Sequence, residues 1–542
     1  MFRSPAQVID GWGESPHPDA YDAISRADTP CMDALRQGSR TGRWRLVKAH
    51  GLAVGLPSDK DMGNSEVGHN ALGAGQVVDQ GATCVDNSLR TGELFDLDGW
   101  KYVQDAARKH TLHLIGLLSD GGVHSRYDQL CLLIEGALER GVRRVRVHAL
   151  SDGRDVKDRT ARLWVERLQA DCAEWSRSGK ADVRIASGGG RMCVSMDRYE
   201  SDWDIVKRGY DAHVLGRAPN RGPSAPEMVG KLQEGDVSDQ WIQPWVVVDP
   251  DTDQAVGTIQ DGDAVVTFNF RADRMVELAM ALEYEEFEGF ERERWPKIKY
   301  AGMMQYDGEL KLPLHFLVPP PLIERASEQY LLSSDVSIFA CSESQKIGHV
   351  TFFWNGNRSG YLDKELETFL EIPSDRGISF DKRPEMKAEE IADAVVKAIR
   401  CGKYDLVRCN FPNPDMVGHT GNLEATIEAC TAVDKCIKKL LDAIDEVKGT
   451  YLITADHGNA EDMVQRKKDG TPVMDKEGKP VPLTSHTLNP VPVIIGGPQL
   501  PDNVRFRTDL ADAGLSNVTA TYINLMGLEA PDFYSPSLLK AD

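Results

Sequence analysis

"LHLIGLLSDGGVHSRYDQLCLLIEGALERGVRRVRVHAL", residues 112–150, contains the whole grammar of the fold. It opens on an apolar run, Leu112 to Leu118, too short for a helix and bounded by Ser, Asp and Gly, as a buried strand is. An amphipathic segment follows from Tyr127 to Glu139 and stops at Gly141, which reads as a helix. Val145 to Leu150 is a second apolar run. Strand, helix, strand is the crossover unit of a parallel sheet.

The alternation continues in both directions. Thr160 to Trp175 has a helical pattern, and Val183 to Ala186 leads into a triple glycine at 188–190. Helix-like sequence at 201–212 precedes a strand candidate, Ala264 to Phe270, and a helical Met275 to Phe287. A proline-rich break, LVPPPL at 317–322, then interrupts the pattern. Downstream the same rhythm returns in Leu406 to Phe411, a helix from Leu423 to Ile444, TYLIT and VPVIIGG. At 542 residues the chain is too long for one core. Two α/β domains are expected, the pattern leaving open whether the middle block, 91–321, is inserted into a discontinuous domain of 1–90 with 322–542. In sheets of this kind ligands sit beyond the carboxyl ends of the strands.

Composition narrows the partners. A formal net charge of −21 argues against nucleic-acid or anionic-membrane surfaces, which need summed positive potential. No stretch is long and apolar enough to span a bilayer, and the first residues, MFRSPAQVID, lack a signal core. The ten cysteines form no C-x-x-C pair, as in a cytoplasmic protein with reduced thiols. No phosphate-cradling G-x-x-x-x-G-K-[ST] occurs. The segment 467–482 reads as an exposed charged hairpin or loop.

Chemistry concentrates where acidic or imidazole groups follow apolar runs. Asp10 precedes GWG, Asp456 and His457 follow YLIT, and His486 precedes VPVIIGG. Asp415 and His419 are four apart, so one helical turn sets both on one face. Oxygen and imidazole ligands without thiolate suit one or two divalent cations, Mn²⁺ or Mg²⁺ first, with Zn²⁺ or Co²⁺ also compatible. Ser65, in DMGNSEVGHNALGAG (61–75), stands among small and polar residues. It reads either as a cap for a helix beginning near Val67 or as a nucleophile that a bulky anion must approach. The middle block contributes the opposite charge: Arg154 and Asp155 of DGRD, Arg191 of GGGRM, Arg198 of MDR, and Arg271 and Arg274 of FNFRADR. Guanidinium groups grip carboxylate and phosphate through paired hydrogen bonds. His124 lies in a similar strand-end loop, and Lys346 lies in SESQKIGH.

With DGWG, MGNSEVGHNALGAG, LSDGGVHS, DGRD, GGGRM, FNFRADR, DMVGH, TADHG and SHT in this order, the chain resembles the cofactor-independent phosphoglycerate mutases of the alkaline phosphatase superfamily. The resemblance implies a phosphatase-like metal-binding domain interrupted by a phosphotransferase domain. It implies interconversion of 3- and 2-phosphoglycerate in glycolysis and gluconeogenesis, through a phosphoserine and without 2,3-bisphosphoglycerate. Carried over by motif, Ser65 is the phosphorylated nucleophile and a metal ligand. Asp10, Asp456 and His457 share one ion with Ser65, while Asp415, His419 and His486 hold the other, with Mn²⁺ expected. His124, Arg154, Asp155, Arg191, Arg198, Arg271, Arg274 and Lys346 form the substrate-binding and proton-handling set of a monomer.

The chain departs from that family at its beginning. Aliphatic residues normally precede DGWG, but here Arg3, Ser4, Pro5 and Gln7 do. Proline and polar groups are poor in a central parallel strand, so either a late start of the chain or a short first strand is expected.

Overall fold

The LHLIGLL run is a strand, Leu112–Leu117, buried along its whole length in a computed structural model of the protein. The structure describes the chain except residues 1–3, 17, 39–42, 198–201, 236, 308–309, 320–322, 376–377, 468, 476 and 541–542. The chain divides into two units, Met1–Gln80 with Leu322–Asp542, and Gly81–Pro321. The first crossing precedes the expected one at 90/91. Gly81–Thr91 is a helix, and its Ala82, Val85 and Leu89 are buried in the second unit's core.

The continuous unit is built on a seven-stranded sheet. Its strands run in space Asn220–Gly222, Trp245–Val247, Asp182–Gly190, Arg144–Ser151, Leu112–Leu117, Ala264–Thr267 and Lys299–Gly302. The last five are parallel, and the first two, parallel to each other, run against them. The third strand continues through the triple glycine. A Cβ on Gly188 would stand 2.1 Å from the Ala149 carbonyl oxygen, so the backbones approach as only glycine permits. Helices cover both faces, among them Tyr127–Glu139 and Ala161–Ser176 on one core and Trp203–Val214 and Val276–Glu283 on the other.

The discontinuous unit also has a seven-stranded main sheet, beside a two-stranded ribbon of Arg505–Phe506 and Leu539–Lys540. In spatial order the strands of the main sheet are Glu367–Ile372, Ile338–Glu343, Leu406–Phe411, Ser4–Ile9, Tyr451–Thr454, Val491–Gly496 and Trp44–Val47. The first five are parallel and the last two antiparallel to their neighbours. The expectation of a short first strand is therefore corrected: Ser4–Ile9 has six residues and is central. It pairs with Leu406–Phe411 in six-residue register and with Tyr451–Thr454. Pairing on both edges outweighs weak local propensity. Val8 and Ile9 supply buried apolar surface at its carboxyl end, whereas Gln7 is buried with neither amide atom hydrogen-bonded.

The long helix Leu423–Val447 is typical of the cover. Cys430, Val433, Ile437, Leu440 and Ile444 recur at three- and four-residue spacing and are all buried. Asn422 caps its start by accepting from the Ala425 N–H at 3.2 Å, and Lys448, in the left-handed region, ends it.

Candidate active site

Three strand ends and one helix start build a polar cluster in the discontinuous unit. Asp10 follows Ser4–Ile9, Asp415 lies on the short helix Asn413–Gly418 after Leu406–Phe411, and Asp456 and His457 follow Tyr451–Thr454. Ser65 is the first residue of the helix Ser65–Ala74; the cap is Asn64, whose side chain accepts from the Val67 N–H at 3.1 Å. The capping alternative for Ser65 is thereby corrected, and its hydroxyl is left for other partners. The small neighbours also have a reason: a Cβ on Gly68 would stand 2.5 Å from the Asp456 carbonyl oxygen. The helix needs glycine there to lie against the Asp456–His457 turn.

Asp10, Ser65, Lys346, Asp415, Asp456, His457 and His486 are buried, and His419 is half-buried. Ser65 Oγ is 3.0 Å from His457 Nε2 and 3.2 Å from Asp10 Oδ1, and it accepts a hydrogen bond from Lys346 Nζ. The same ammonium stands 2.9 Å from both Asp10 Oδ1 and Asp415 Oδ2. Asp415 Oδ1 lies 3.1 Å from the Nε2 atoms of both His419 and His486. Asp10, Asp415, His419, Asp456, His457, His486, Ser65 and Lys346 are thus brought together.

The electrostatics are those of a cation site. Three carboxylates, Asp10, Asp415 and Asp456, face one lysine. Burial opposes the charged form of Lys346, but the three carboxylates outweigh it and raise its pKa. Burial likewise opposes a charged His457, yet Asp456, Asp10 and Asp415 push it up to about 9. Asp456 Oδ2 is buried without a hydrogen bond; its nearest ring nitrogens are His69 Nδ1 at 3.3 Å and His457 Nε2 at 3.7 Å. His419 Nδ1 donates to the Thr484 carbonyl at 2.6 Å and His486 Nδ1 to the Gly63 carbonyl at 2.8 Å. In the neutral rings this leaves both Nε2 lone pairs facing the cluster, the orientation that metal-binding imidazoles adopt. Asp415, His457 and His486 form one group able to hold an ion, and Asp10, Asp456 and His457 form another. The residues present fit divalent cations.

Sequence reasoning missed the supporting groups. His69 donates through Nδ1 to the Ser65 carbonyl at 2.8 Å, and its Nε2 is 3.1 Å from Asn410 Nδ2. Asn410 in turn donates to Asp10 Oδ2 at 2.9 Å, and Asn459 donates to Asp415 Oδ1 at 2.9 Å. Only His69 carried a signal, one helical turn after Ser65.

A second cluster occupies the strand ends of the continuous unit. Arg191, which follows Asp182–Gly190, is fully buried. Its guanidinium donates to Asp152 Oδ1 at 2.8 Å, to Asp155 Oδ2, and to His124 Nε2 at 2.7 Å. A guanidinium only donates, so the His124 proton resides on Nδ1. Burial first, and Arg191 second, hold His124 well below the usual imidazole range, as a neutral group. Asp152, also unforeseen, accepts from Ser119 Oγ at 2.7 Å and from the N–H groups of Arg154 and Asp155 at 3.1 and 3.0 Å. Arg271 pairs with Asp273 at 3.0 Å, and Arg274 donates to the Met196 carbonyl at 2.7 Å. Arg198 lies outside the described residues.

Known proteins resemble the chain along nearly its whole length. The model of the metalloenzyme superfamily matches residues 7–530. The chain is 59% identical over 534 residues to 2,3-bisphosphoglycerate-independent phosphoglycerate mutase 1 of Arabidopsis thaliana, covering 98% of this chain and 95% of that protein. It is 57% identical over 537 residues to the 2,3-bisphosphoglycerate-independent phosphoglycerate mutase of Trypanosoma brucei brucei, covering 98% and 96%. A crystal structure of Leishmania mexicana phosphoglycerate mutase, obtained at low cobalt concentration, superposes with a TM-score of 0.95. Its identity is 54%, and 100% of this chain and 98% of that one are covered. A buried serine among carboxylates and imidazoles, an arginine cluster on a second sheet, and near-complete similarity along the chain lead to one conclusion: the protein belongs to the 2,3-bisphosphoglycerate-independent phosphoglycerate mutases of the metalloenzyme superfamily.

Proposed function

We propose that the protein interconverts 3-phosphoglycerate and 2-phosphoglycerate by way of a phosphoryl group carried on Ser65. The observation that supports this most directly is the buried Ser65 hydroxyl at a helix start, with Lys346, His457 and Asp10 around it. A helix N-terminus stabilises a phosphate dianion, and no acidic group but Glu66 lies in its first turn.

Asp10, Ser65, Asp456 and His457 would hold one divalent cation, and Asp415, His419 and His486 the other, Mn²⁺ being the proposed metal. Such ions, when bound, neutralise the carboxylates and the phosphoryl oxygens. Arg154, Arg191, Arg198, Arg271 and Arg274 bind the carboxylate and phosphate of the substrate. Ser65, whose hydroxyl loses its proton when a cation is bound, attacks phosphorus through Oγ; the bond from phosphorus to the glycerate O3 breaks, and that oxygen takes the proton that O2 gives up. Lys346, kept cationic, balances charge on the phosphoryl oxygens. Glycerate turns over, and its O2 attacks the phosphoserine, releasing Ser65. His124 or Asp155 moves the proton between the two hydroxyls. Water must be excluded while the phosphoserine exists, since it would hydrolyse it. The enzyme is read as a monomer of the cytoplasm, the latter in keeping with its ten unpaired cysteines. Among the described residues no helix is long and apolar enough to cross a membrane.

The test is to incubate the Mn²⁺-loaded protein with 3-phosphoglycerate and follow 2-phosphoglycerate and free phosphate together, with mass spectrometry of the Ser65 peptide. Formation of 2-phosphoglycerate with a phosphorylated Ser65 is expected. Free phosphate as the main product would reject the mutase in favour of a phosphatase.

A further inference from the structure

Three histidines that the reaction does not use form one unbroken line through the continuous unit. Asp263 Oδ2 is 3.1 Å from His113 Nε2, and His113 Nδ1 is 3.0 Å from His148 Nε2. His148 Nδ1 is 2.6 Å from Ser187 Oγ, which is 2.8 Å from His213 Nδ1. His213 Nε2 is 3.0 Å from Ser195 Oγ. Every member is buried.

The chemistry fixes the direction of every bond. Burial holds all three imidazoles below their usual range, His213 down to about 3, so each is neutral with one donor and one acceptor. Asp263 only accepts, so His113 donates from Nε2 and accepts at Nδ1. His148 then donates from Nε2 and accepts at Nδ1 from the Ser187 hydroxyl. Ser187 accepts from His213 Nδ1–H, and His213 Nε2 accepts from Ser195 Oγ–H. Within the line no donor is left over, and Asp263 Oδ2 accepts from the Gln260 N–H at 2.7 Å as well as from His113.

Two irregularities of the fold serve this line. The parallel pairing of Arg144–Ser151 with Asp182–Gly190 slips by one residue between Val147 and His148, and the slip sets Ser187 opposite His148. A bulge of this kind re-aims a side chain. In the helix Trp203–Val214, a Cβ on Gly209 would lie 1.9 Å from Ser195 Oγ, so glycine alone leaves room for the hydroxyl.

The line ends beside the arginine cluster. Ser195 has φ +64°, a left-handed conformation that a serine adopts at a cost. It is held there by His213 and by its own N–H donating to the Ile205 carbonyl at 2.9 Å. The next residue, Met196, offers the carbonyl that receives Arg274.

We propose that the line from Asp263 to Ser195 is a positioning device: it pins Ser195 in the left-handed region so that the Met196 carbonyl holds the Arg274 guanidinium in place for the substrate anion. The proposal rests on the reading of Arg274 as a substrate-binding residue.

The test uses the full-length, metal-loaded protein and 3-phosphoglycerate, with affinity measured by calorimetry and KM and kcat by turnover. Ser195→Ala is expected to weaken binding and raise KM about three- to tenfold, the range one neutral hydrogen bond spans, with kcat within about twofold. Ser195→Gly, at ease with positive φ, is expected to recover part of the loss. In an Arg274→Ala background, Ser195→Ala is expected to add little, because the two act as a unit. Nitrogen-15 spectra are expected to give His113 and His148 as Nε2–H and His213 as Nδ1–H tautomers. Unchanged affinity in a folded Ser195→Ala protein, full additivity with Arg274→Ala, or the opposite tautomers would overturn the proposal. Should Ser195→Ala not fold, Ser187→Ala, which cuts the line in its middle, carries the same expectations. A parent that binds 3-phosphoglycerate without making 2-phosphoglycerate overturns only the mutase reading. A parent that binds none overturns both.

Discussion

His419 and His486 turn their Nε2 atoms toward each other at 3.0 Å, while each directs Nδ1 to a main-chain carbonyl. Both Nε2 atoms thereby face Asp415 Oδ1 at 3.1 Å, where these three groups would hold a cation. Dialysis against a chelator is therefore expected to abolish turnover and lower the melting temperature, and Mn²⁺ or Co²⁺ to restore both. His486→Ala is expected to bind Mn²⁺ at least about tenfold more weakly, measured by calorimetry. An unchanged melting temperature on chelation would contradict the site.

Lys346 bridges Asp10 and Asp415 and touches Ser65. Lys346→Met keeps the stem and removes the charge. The expected result is a fall in kcat of about 10²–10³, the scale of losing one electrostatic donor, with a smaller change in KM. Activity within threefold of the parent would remove Lys346 from the mechanism.

Gly68 tests the contact between the Ser65 helix and the Asp456 turn. Gly68→Ala sets a methyl group where the Asp456 carbonyl lies. A stability loss of about 1–3 kcal/mol is expected from overpacking, with weaker Mn²⁺ binding, both readable by calorimetry.

Glu343, at the end of Ile338–Glu343, is buried, and burial pushes its carboxyl up from 4.5 to about 7 against the Lys387 N–H at 3.2 Å. A raised folded-state value means that the protonated form is favoured by folding. Its contribution is fully present below about 4.5 and is lost as pH rises through about 7. Glu343→Gln is expected to flatten that decline, by on the order of 2–3 kcal/mol between pH 4.5 and 8. Parallel stability curves for parent and variant would refute it.

Both sheets are legible because apolar runs and amphipathic segments alternate along the sequence, as in Leu112–Leu117 and Tyr127–Glu139. The polar cluster of the discontinuous unit is legible in part because Asp10, Asp456 and His457 follow apolar runs, His486 precedes one, and Asp415 and His419 are one helical turn apart. Ser4–Ile9 is not, since its partners, some four hundred residues away, decide its conformation. Asn410, Asn459 and Asp152 are single residues with no spacing to betray them. The histidine line is invisible for the same reason: its members, 113, 148, 187, 213, 195 and 263, meet only once the sheet is paired.

The placement of Ser4–Ile9 between Leu406–Phe411 and Tyr451–Thr454 also bears on how the molecule is made. A ribosome adds about 5–20 residues per second, so this strand waits on the order of tens of seconds for the segments that flank it. The unit from Gly81 to Pro321, continuous in sequence, has all its own strands in hand long before then. During that interval the nascent amino-terminal segment has no sheet to join, and it is the part of the chain for which a chaperone has the longest opportunity to act.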